Sequence, residues 1–319
     1  MSAACLTCWF WGVVGLVVAY RALVWLNTYV FMIGYRINPK SFTKKESPVW
    51  VIVTGCTSGI GEGFVSELVA RGFAVLMVSR SAEKLSATVA ATRVAYPSAV
   101  LESVAVDFGS KDFLSVIDKA AKNKDIVMVV NNVGANLAYP KLFAENSYDE
   151  IEEIIAVNVR TTTLLSRWAV ERFHGRSEEI SRSNGLLVNV SSLFGSMGSP
   201  MLAVYAGTKA FVEAFSSSVA AEENSRSVQV FCSTPGYVVS NMSKLRKESL
   251  SVLSGRTCAR NILAQAGLGG TGAAPHWSHA IIYGFLISLP ENFRLSRILN
   301  FHKIINAKAI RKDKMKSKD

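Results

Sequence analysis

Six short apolar runs recur along the chain: Val49–Thr54, Phe73–Ser79, Val100–Val106, Ile126–Val130, Gly185–Val190 and Val228–Ser233. They are rich in β-branched residues, as expected of strands buried on both faces of a parallel sheet. Helical patterns lie between them. Glu62–Arg71 is apolar-periodic, and Ala203–Glu223 is rich in Ala, Phe and Val, with only Gly207 against it. Ser147-x-x-Glu150 is a capping box opening a long helix to about Phe173. This alternation predicts one α/β domain, a doubly wound parallel sheet with right-handed crossovers. His174–Asn184 and Gly267–Pro275 read as loops. Trp277–Leu289 is an uncharged run of 13 residues, too short to span a membrane, and reads as a last strand plus an interfacial segment.

The N-terminus has a different pattern. From Ala3 to Tyr35 the only charged side chain is Arg21. The 18 residues Ala3–Tyr20 approach the ~20 needed to cross a bilayer core. A cleaved signal peptide fits poorly, because no Lys or Arg precedes the run and the run is long. An uncleaved anchor is expected, either one span over about Leu6–Trp25 or a hairpin with Arg21 near its turn. Arg36, Lys40, Lys44 and Lys45 follow, which for a single span puts the C-terminal side in the cytosol. The resulting division is an anchor over 1–36, a basic linker over 37–48, a catalytic domain over 49–290 and a basic tail over 291–319.

Charge and cysteine content narrow the partners. The net charge is +11, and Lys303 to Asp319 alone carries seven basic residues against Asp313 and Asp319. That tail reads either as solvated and frayed or as a contact for anionic head groups. Nucleic acid is not an expected partner, since no aromatic residues interleave with the basic ones on a recognisable fold. Cys5, Cys8, Cys56, Cys232 and Cys258 are odd in number and scattered, which argues against a disulfide framework. His174, His276, His279 and His302 lack metal-ligand spacing and read as structural or surface residues.

Candidate chemistry sits at the strand ends. Thr54-Gly55-Cys56-Thr57-Ser58-Gly59-Ile60-Gly61 follows the first strand and opens a helix, the context in which glycines let backbone approach a pyrophosphate at a helix N-terminus. The second strand ends in Ser79-Arg80-Ser81, with no carboxylate for a ribose 2′-hydroxyl. Arg80 suits the 2′-phosphate of NADP instead. Asp107 ends the third strand, where a carboxylate can accept from an adenine amino group, and Asn131-Asn132-Val133-Gly134 ends the fourth. Asn158 lies among apolar neighbours and needs partners. Tyr205 and Lys209, four apart, share a helix face, and an ammonium favours a phenolate. Ser192 precedes Tyr205 by thirteen residues. Met242–Arg256 sets Lys244, Arg246 and Lys247 among leucines, reading either as an acyl-CoA contact or as a solvated amphipathic helix.

Residues 49–290 resemble the short-chain dehydrogenase/reductase family, on Thr54–Gly61, Asp107, Asn131–Gly134, Asn158, and Ser192 with Tyr205 and Lys209. The resemblance implies a Rossmann-type fold and NADP(H)-dependent, metal-free reduction of a ketone. It implies Tyr205 as proton donor, Ser192 as the group polarising the carbonyl, and Lys209 as binding the nicotinamide ribose and lowering the Tyr205 pKa. Asn158 keeps a water linking Lys209 to solvent. It further implies cofactor contacts at Gly55, Thr57, Ser58, Gly59, Ile60, Gly61, Arg80, Asp107, Asn131, Gly134, Pro235, Gly236 and Val238. Within the family, the apolar N-terminus, Asn132-Val133-Gly134 and the Ile281–Pro290 ending look most like the very-long-chain 3-oxoacyl-CoA reductases and related 17β-hydroxysteroid dehydrogenases. Gly236 departs from close relatives, which often carry a bulky residue there. That likeness implies a long-chain acyl-CoA or steroid substrate and an endoplasmic-reticulum membrane location with the catalytic domain in the cytosol. Its partners would be membrane lipid, a second copy of the chain and other fatty-acid elongation enzymes. A non-enzymatic NADPH-binding scaffold is the remaining alternative, against which the intact Asn158, Ser192, Tyr205 and Lys209 set counts.

Overall fold

Six parallel strands run in the order β3-β2-β1-β4-β5-β6. They are β1 Trp50–Thr54, β2 Ala74–Ser79, β3 Leu101–Ala105, β4 Ile126–Asn131, β5 Gly185–Val190 and β6 Val228–Ser233. The computed structural model describes residues 8–20, 23, 37, 42, 48–176, 185–223, 228–268 and 274–316. β1 pairs with β2 and β4, aligning Val51 with Val75 and with Met128, and every residue of β1, β2 and β4 is buried. Continuous burial explains why these strands read as apolar runs rather than alternations. The strand order reverses between β1 and β4, the switch point at which open α/β sheets open a crevice beyond the strand C-termini.

Helices cover both faces: α1 Gly59–Val69, α2 Ala82–Ala95, α3 Phe113–Ala120, α4 Tyr148–Ile155, α5 Thr161–His174, α6 Leu193–Met197, α7 Ala203–Glu223 and α8 Gly255–Leu268. α1 starts at Gly59, three residues earlier than the apolar periodicity suggests, because the glycine turn itself forms the first turn. The Ser147 capping box is formed, with Ser147 accepting from the Glu150 N–H. The helix it opens is interrupted by a π-turn over Ala156–Arg160 before α5 continues. α1 and α8 cross with almost no separation, since a Cβ on Gly63 would lie 2.3 Å from the Gly255 carbonyl oxygen. Beside this crossing the Glu67 carboxylate takes Arg71, Arg256 and Arg260 at 2.8, 2.7 and 3.1 Å.

Three sequence expectations are corrected. The run 277–289 is not a strand but helix α9, Trp277–Ser288, capped by His276, whose Nδ1 accepts from the Ser278 N–H. A uniformly apolar run has no period to distinguish strand from helix, and packing decides: Ala280, Tyr283 and Leu286 lie on Leu193 and Met197 of α6. The basic tail is not frayed but helix α10, Glu291–Lys316. His302 of α10 is buried and donates to the Pro200 carbonyl at 2.7 Å, and Asn306 donates to Pro140 at 2.7 Å. The segment 242–254 is not an amphipathic helix. It is a loop held by the two-residue strands β7 Tyr237–Val238 and β8 Val252–Leu253, with α8 beginning at Gly255.

At the N-terminus residues 8–20 are helical with Trp9, Phe10, Trp11 and Leu16 exposed. Among the described residues no helix is long and apolar enough to cross a membrane. The rest of the expected anchor and most of the basic linker lie outside the described residues, as do the Ser177–Asn184 part of the polar loop and most of the glycine-rich loop.

Candidate active site

The glycine turn between β1 and α1 shows why these residues are needed. Gly55 and Gly59 have φ of +63° and +59°, a region L side chains rarely adopt. A Cβ on Gly61 would lie 2.1 Å from the Gly55 carbonyl oxygen, so any side chain there would block the turn. Thr57 Oγ1 meets Ser79 Oγ at 3.2 Å, tying the turn to the end of β2. Ser58 is extended at the N-cap with its side chain uncommitted to the cap, leaving N–H groups of α1 to face a ligand. Ile60 packs on the core below. A groove of about 520 Å³ follows the turn, lined by Thr57, Ser58, Glu62 and Gly63 on one side and Ser240, Arg246 and Arg256 on the other. These features fit a pyrophosphate.

A second recess of about 330 Å³ lies at the ends of β2 and β3, lined by Arg80, Asp107, Gly109, Glu153 and Arg160. Asp107 accepts from the Gly109 N–H at 3.0 Å, which sets its carboxylate at the rim. Arg80 pairs with Glu153 at 3.3 Å, both side chains more than half exposed, so the pair is weak and available to a stronger anion.

Asn131 and Asn132 divide their work. Asn131 is buried and turned inward, donating to Asn189 Oδ1 at 2.8 Å and to Ser166 Oγ at 3.0 Å. Asn132 holds the glycine turn, donating from Nδ2 to the carbonyls of Thr54 and Gly55 at 3.0 and 3.2 Å. Thr54 Oγ1 accepts from the N–H groups of Asn132 and Val133. Sequence reading singled out Asn131 for the cofactor; the amide touching the turn is its neighbour.

Ser192, Tyr205 and Lys209 converge at the ends of β5 and α7. Ser192 caps α6, accepting from the Phe194 N–H at 3.3 Å, and hydrogen-bonds the Tyr205 phenol. Lys209 Nζ sits 5.8 Å from the Tyr205 ring centroid and donates to the Val190 carbonyl at 2.9 Å. All three are buried. Burial pulls Lys209 down to about 8, opposed by the fields of Cys232 and Glu213. Burial also pushes the Tyr205 phenol up, with only the Ser192 hydrogen bond opposing it. Removal from water dominates, so the phenol stays a protonated donor, and Lys209 is not among the influences acting on it in this arrangement.

Asn158 sits in the π-turn and reaches this centre. Its Oδ1 accepts from the Ala135 N–H at 2.8 Å, and its Nδ2 donates to the Ala135 carbonyl and Thr208 Oγ1, both at 3.0 Å. A Cβ on Gly134 would lie 3.4 Å from Asn158 Oδ1 and 3.5 Å from Lys209 Nζ, so Gly134 leaves open the space between them. Pro235 accepts from the Leu193 N–H at 3.0 Å, and Val238 is buried in β7. Lys244, at φ +57°, reaches across from the 237–254 segment to the Ala138 carbonyl.

The sequence reading missed two residues at the site. Glu213, one turn after Lys209, accepts from Ser191 at 3.0 Å and Ser196 at 2.5 Å, bracketing Ser192. His279 of α9 touches the Pro235–Gly236 turn. The helical spacing of Lys209 and Glu213 could have suggested the first; only the tertiary fold reveals the second.

Comparison with known proteins agrees with this geometry. A family model described as short chain dehydrogenase matches residues 49–250. The chain is 32% identical over 311 residues to a very-long-chain 3-oxoacyl-CoA reductase from Laccaria bicolor, covering 94% of this chain and 88% of that one. It is 30% identical over 280 residues to the protein of that name from Rattus norvegicus, covering 87% of each. Among solved structures, a short-chain dehydrogenase from Sphingobium yanoikuyae in complex with NADPH shares the fold, with TM-score 0.64 and 21% identity over 75% of this chain and 92% of that chain. A 7β-hydroxysteroid dehydrogenase shares it with TM-score 0.68 and 21% identity over 78% of this chain and 96% of that chain.

Proposed function

Because this chain belongs to the short-chain dehydrogenase/reductase family, we propose that it is a membrane-associated, NADPH-dependent ketoreductase. Its substrate is a long-chain 3-oxoacyl-CoA and its product the 3-hydroxyacyl-CoA, as in fatty-acid elongation. The observation that carries the chemistry is the Ser192 hydroxyl against the Tyr205 phenol, with Lys209 beside them. The substrate class is supported by relatives at 30–33% identity named as very-long-chain 3-oxoacyl-CoA reductases.

When bound, NADPH supplies the hydride that the carbonyl carbon receives. Tyr205 gives its proton to the carbonyl oxygen as charge develops there, and Ser192 donates a hydrogen bond to the same oxygen. Lys209, now donating to the Val190 carbonyl, would hold the nicotinamide ribose of the bound cofactor and would stabilise the phenolate that Tyr205 leaves on giving up its proton. Gly55, Gly59 and Gly61 admit the pyrophosphate, and Arg80 binds the 2′-phosphate.

Membrane attachment, with the catalytic domain on the cytosolic face of the endoplasmic reticulum, is supported by the apolar residues 3–35 and their basic flank. Exposed Ile281 and Phe285 on α9 and Phe293, Phe301 and Ile304 on α10, on a chain with a basic C-terminus, add apolar surface suited to lipid. Alkaline extraction that released the protein from microsomes would contradict attachment.

The test is loss of NADPH absorbance with the purified full chain against 3-oxoacyl-CoA of increasing length and against steroid ketones. Turnover that rises with acyl length is expected. Steroid ketones reduced far faster than every acyl-CoA would replace this substrate. Changing Lys244, Arg246 and Lys247 together to Gln should raise the acyl-CoA KM and flatten its salt dependence.

A further inference from the structure

Helix α9 places His279 under the turn that follows β6. The ring is 1% exposed, and its Nδ1 accepts a hydrogen bond from the Gly236 N–H at 3.1 Å. An acceptor Nδ1 requires the neutral tautomer with its proton on Nε2. Burial holds the imidazole pKa down to about 4, so the ring is neutral across the physiological range.

The ring also takes the room a side chain at 236 would need. A Cβ on Gly236 would stand 3.2 Å from both Cγ and Cδ2 of His279 and 3.2 Å from Leu193 Cδ1. These are tighter than ordinary carbon contacts of about 3.5–4.0 Å. Gly236 and His279 are therefore matched, one giving up a side chain where the other inserts its ring.

The same turn is bound to the catalytic side of the site. The Pro235 carbonyl accepts from the Leu193 N–H at 3.0 Å, and the Ser233 carbonyl accepts from the Ser191 N–H at 2.8 Å. Ser192 lies between those two donors. Ala280, Tyr283 and Leu286 of α9 pack on α6, the helix Ser192 caps. One helix thus supports the Pro235–Gly236 turn through His279 and the Ser192 turn through apolar contact.

We propose that His279 is a positioning residue, which fixes the Pro235–Gly236 turn against the Ser192 turn so that the nicotinamide and the carbonyl-polarising hydroxyl keep one relative placement. This rests on the proposed function, with Pro235 and Gly236, expected above as cofactor contacts, placed beside the nicotinamide. His279 touches neither substrate nor cofactor and acts only through the Gly236 amide and the space it occupies.

The experiment uses the full chain in detergent and reads two quantities: NADPH affinity by nucleotide fluorescence, and kcat with a long-chain 3-oxoacyl-CoA. His279→Phe keeps a ring and removes the acceptor, and should weaken NADPH binding and lower kcat, each about tenfold, the scale of one lost buried hydrogen bond. His279→Asn offers an oxygen at the same distance from the backbone and should restore both to within about threefold of the parent. An Asn variant as impaired as the Phe variant would show that packing alone matters, and unchanged binding and turnover in His279→Phe would show no role; either overturns the proposal. Should His279→Phe fail to fold, Gly236→Ala decides. It should be impaired in the parent and relieved when His279 is also changed to Asn, which removes the ring and keeps an acceptor for the 236 N–H, and equal impairment in both backgrounds refutes the matched pair. A parent that binds NADPH but reduces no acyl-CoA would defeat the substrate reading while the NADPH titrations still judge His279.

Discussion

Gly63 lies outside the glycine motif, yet the structure makes it one of the least replaceable positions near the cofactor groove. A Cβ there would sit 2.3 Å from the Gly255 carbonyl oxygen, 2.4 Å from its carbon and 2.7 Å from the Arg256 nitrogen, all backbone atoms. An ordinary carbon–oxygen contact is about 3.3 Å or more, so Gly63→Ala must drive α1 and α8 apart by about 1 Å. Overpacking of this kind costs about 1–3 kcal/mol. The same displacement pulls Arg256 and Arg260 from Glu67; because both arginines are half exposed, this adds about 1 kcal/mol rather than the full cost of a broken buried pair. A total of about 2–4 kcal/mol corresponds to a fall in Tm of roughly 5–15 °C for a domain of this size. Gly207 is the internal control. Nothing lies within 4 Å of a Cβ there, so Gly207→Ala in the interior of α7 should gain about 0.5–1 kcal/mol. Thermal unfolding of the full chain in detergent, followed by near-ultraviolet circular dichroism, measures both. The NADPH KM of Gly63→Ala should rise as well, because Gly63 and Gly255 line the groove beside the glycine turn. An unchanged Tm for Gly63→Ala, or a loss for Gly207→Ala, would refute reasoning from backbone clearance.

Three further outcomes follow from the site. Tyr205→Phe keeps the buried ring and should bind NADPH normally while kcat falls about 10²–10⁴-fold, the usual worth of a positioned acid; retention of more than a tenth of kcat would move the acid elsewhere. Glu153→Gln releases Arg80 from its 3.3 Å partner and should lower the NADPH KM about twofold to fivefold at low salt without helping NADH, and equal gains for both cofactors would separate Arg80 from the 2′-phosphate. Burial lowers Lys209 to about 8, well below an unfolded lysine at ~10.4, so the unfolded chain binds more protons between these values. The contribution of Lys209 to stability therefore rises from pH 8 to pH 10. The urea midpoint of the parent should gain on that of Lys209→Met over that interval, with Glu213 and Cys232 as the groups facing the ammonium; a constant difference would mean the lysine is not desolvated.

The chain by itself determined the layered sheet, the glycine turn and the Tyr205–Lys209 pair. Buried strands and glycine turns leave local marks, since continuous burial demands apolar runs and a positive φ in a crowded turn favours glycine. The packing of the last third was not legible. Residues 277–289 carry no period, and only contact with α6 makes them a helix. The basic residues of the tail carry no packing signal, and it is the carbonyls of Pro200 and Pro140, with the Phe194 ring against His302, that anchor α10. The division of labour between Asn131 and Asn132 depends on which way each amide points from the end of β4. The π-turn that presents Asn158, the bracket that Glu213 forms around Ser192, and the fit of His279 into the space left by Gly236 all join residues far apart in the chain or off the regular helical spacing. Local periodicity carries no trace of such contacts, because each exists only once the sheet has brought its strand ends together.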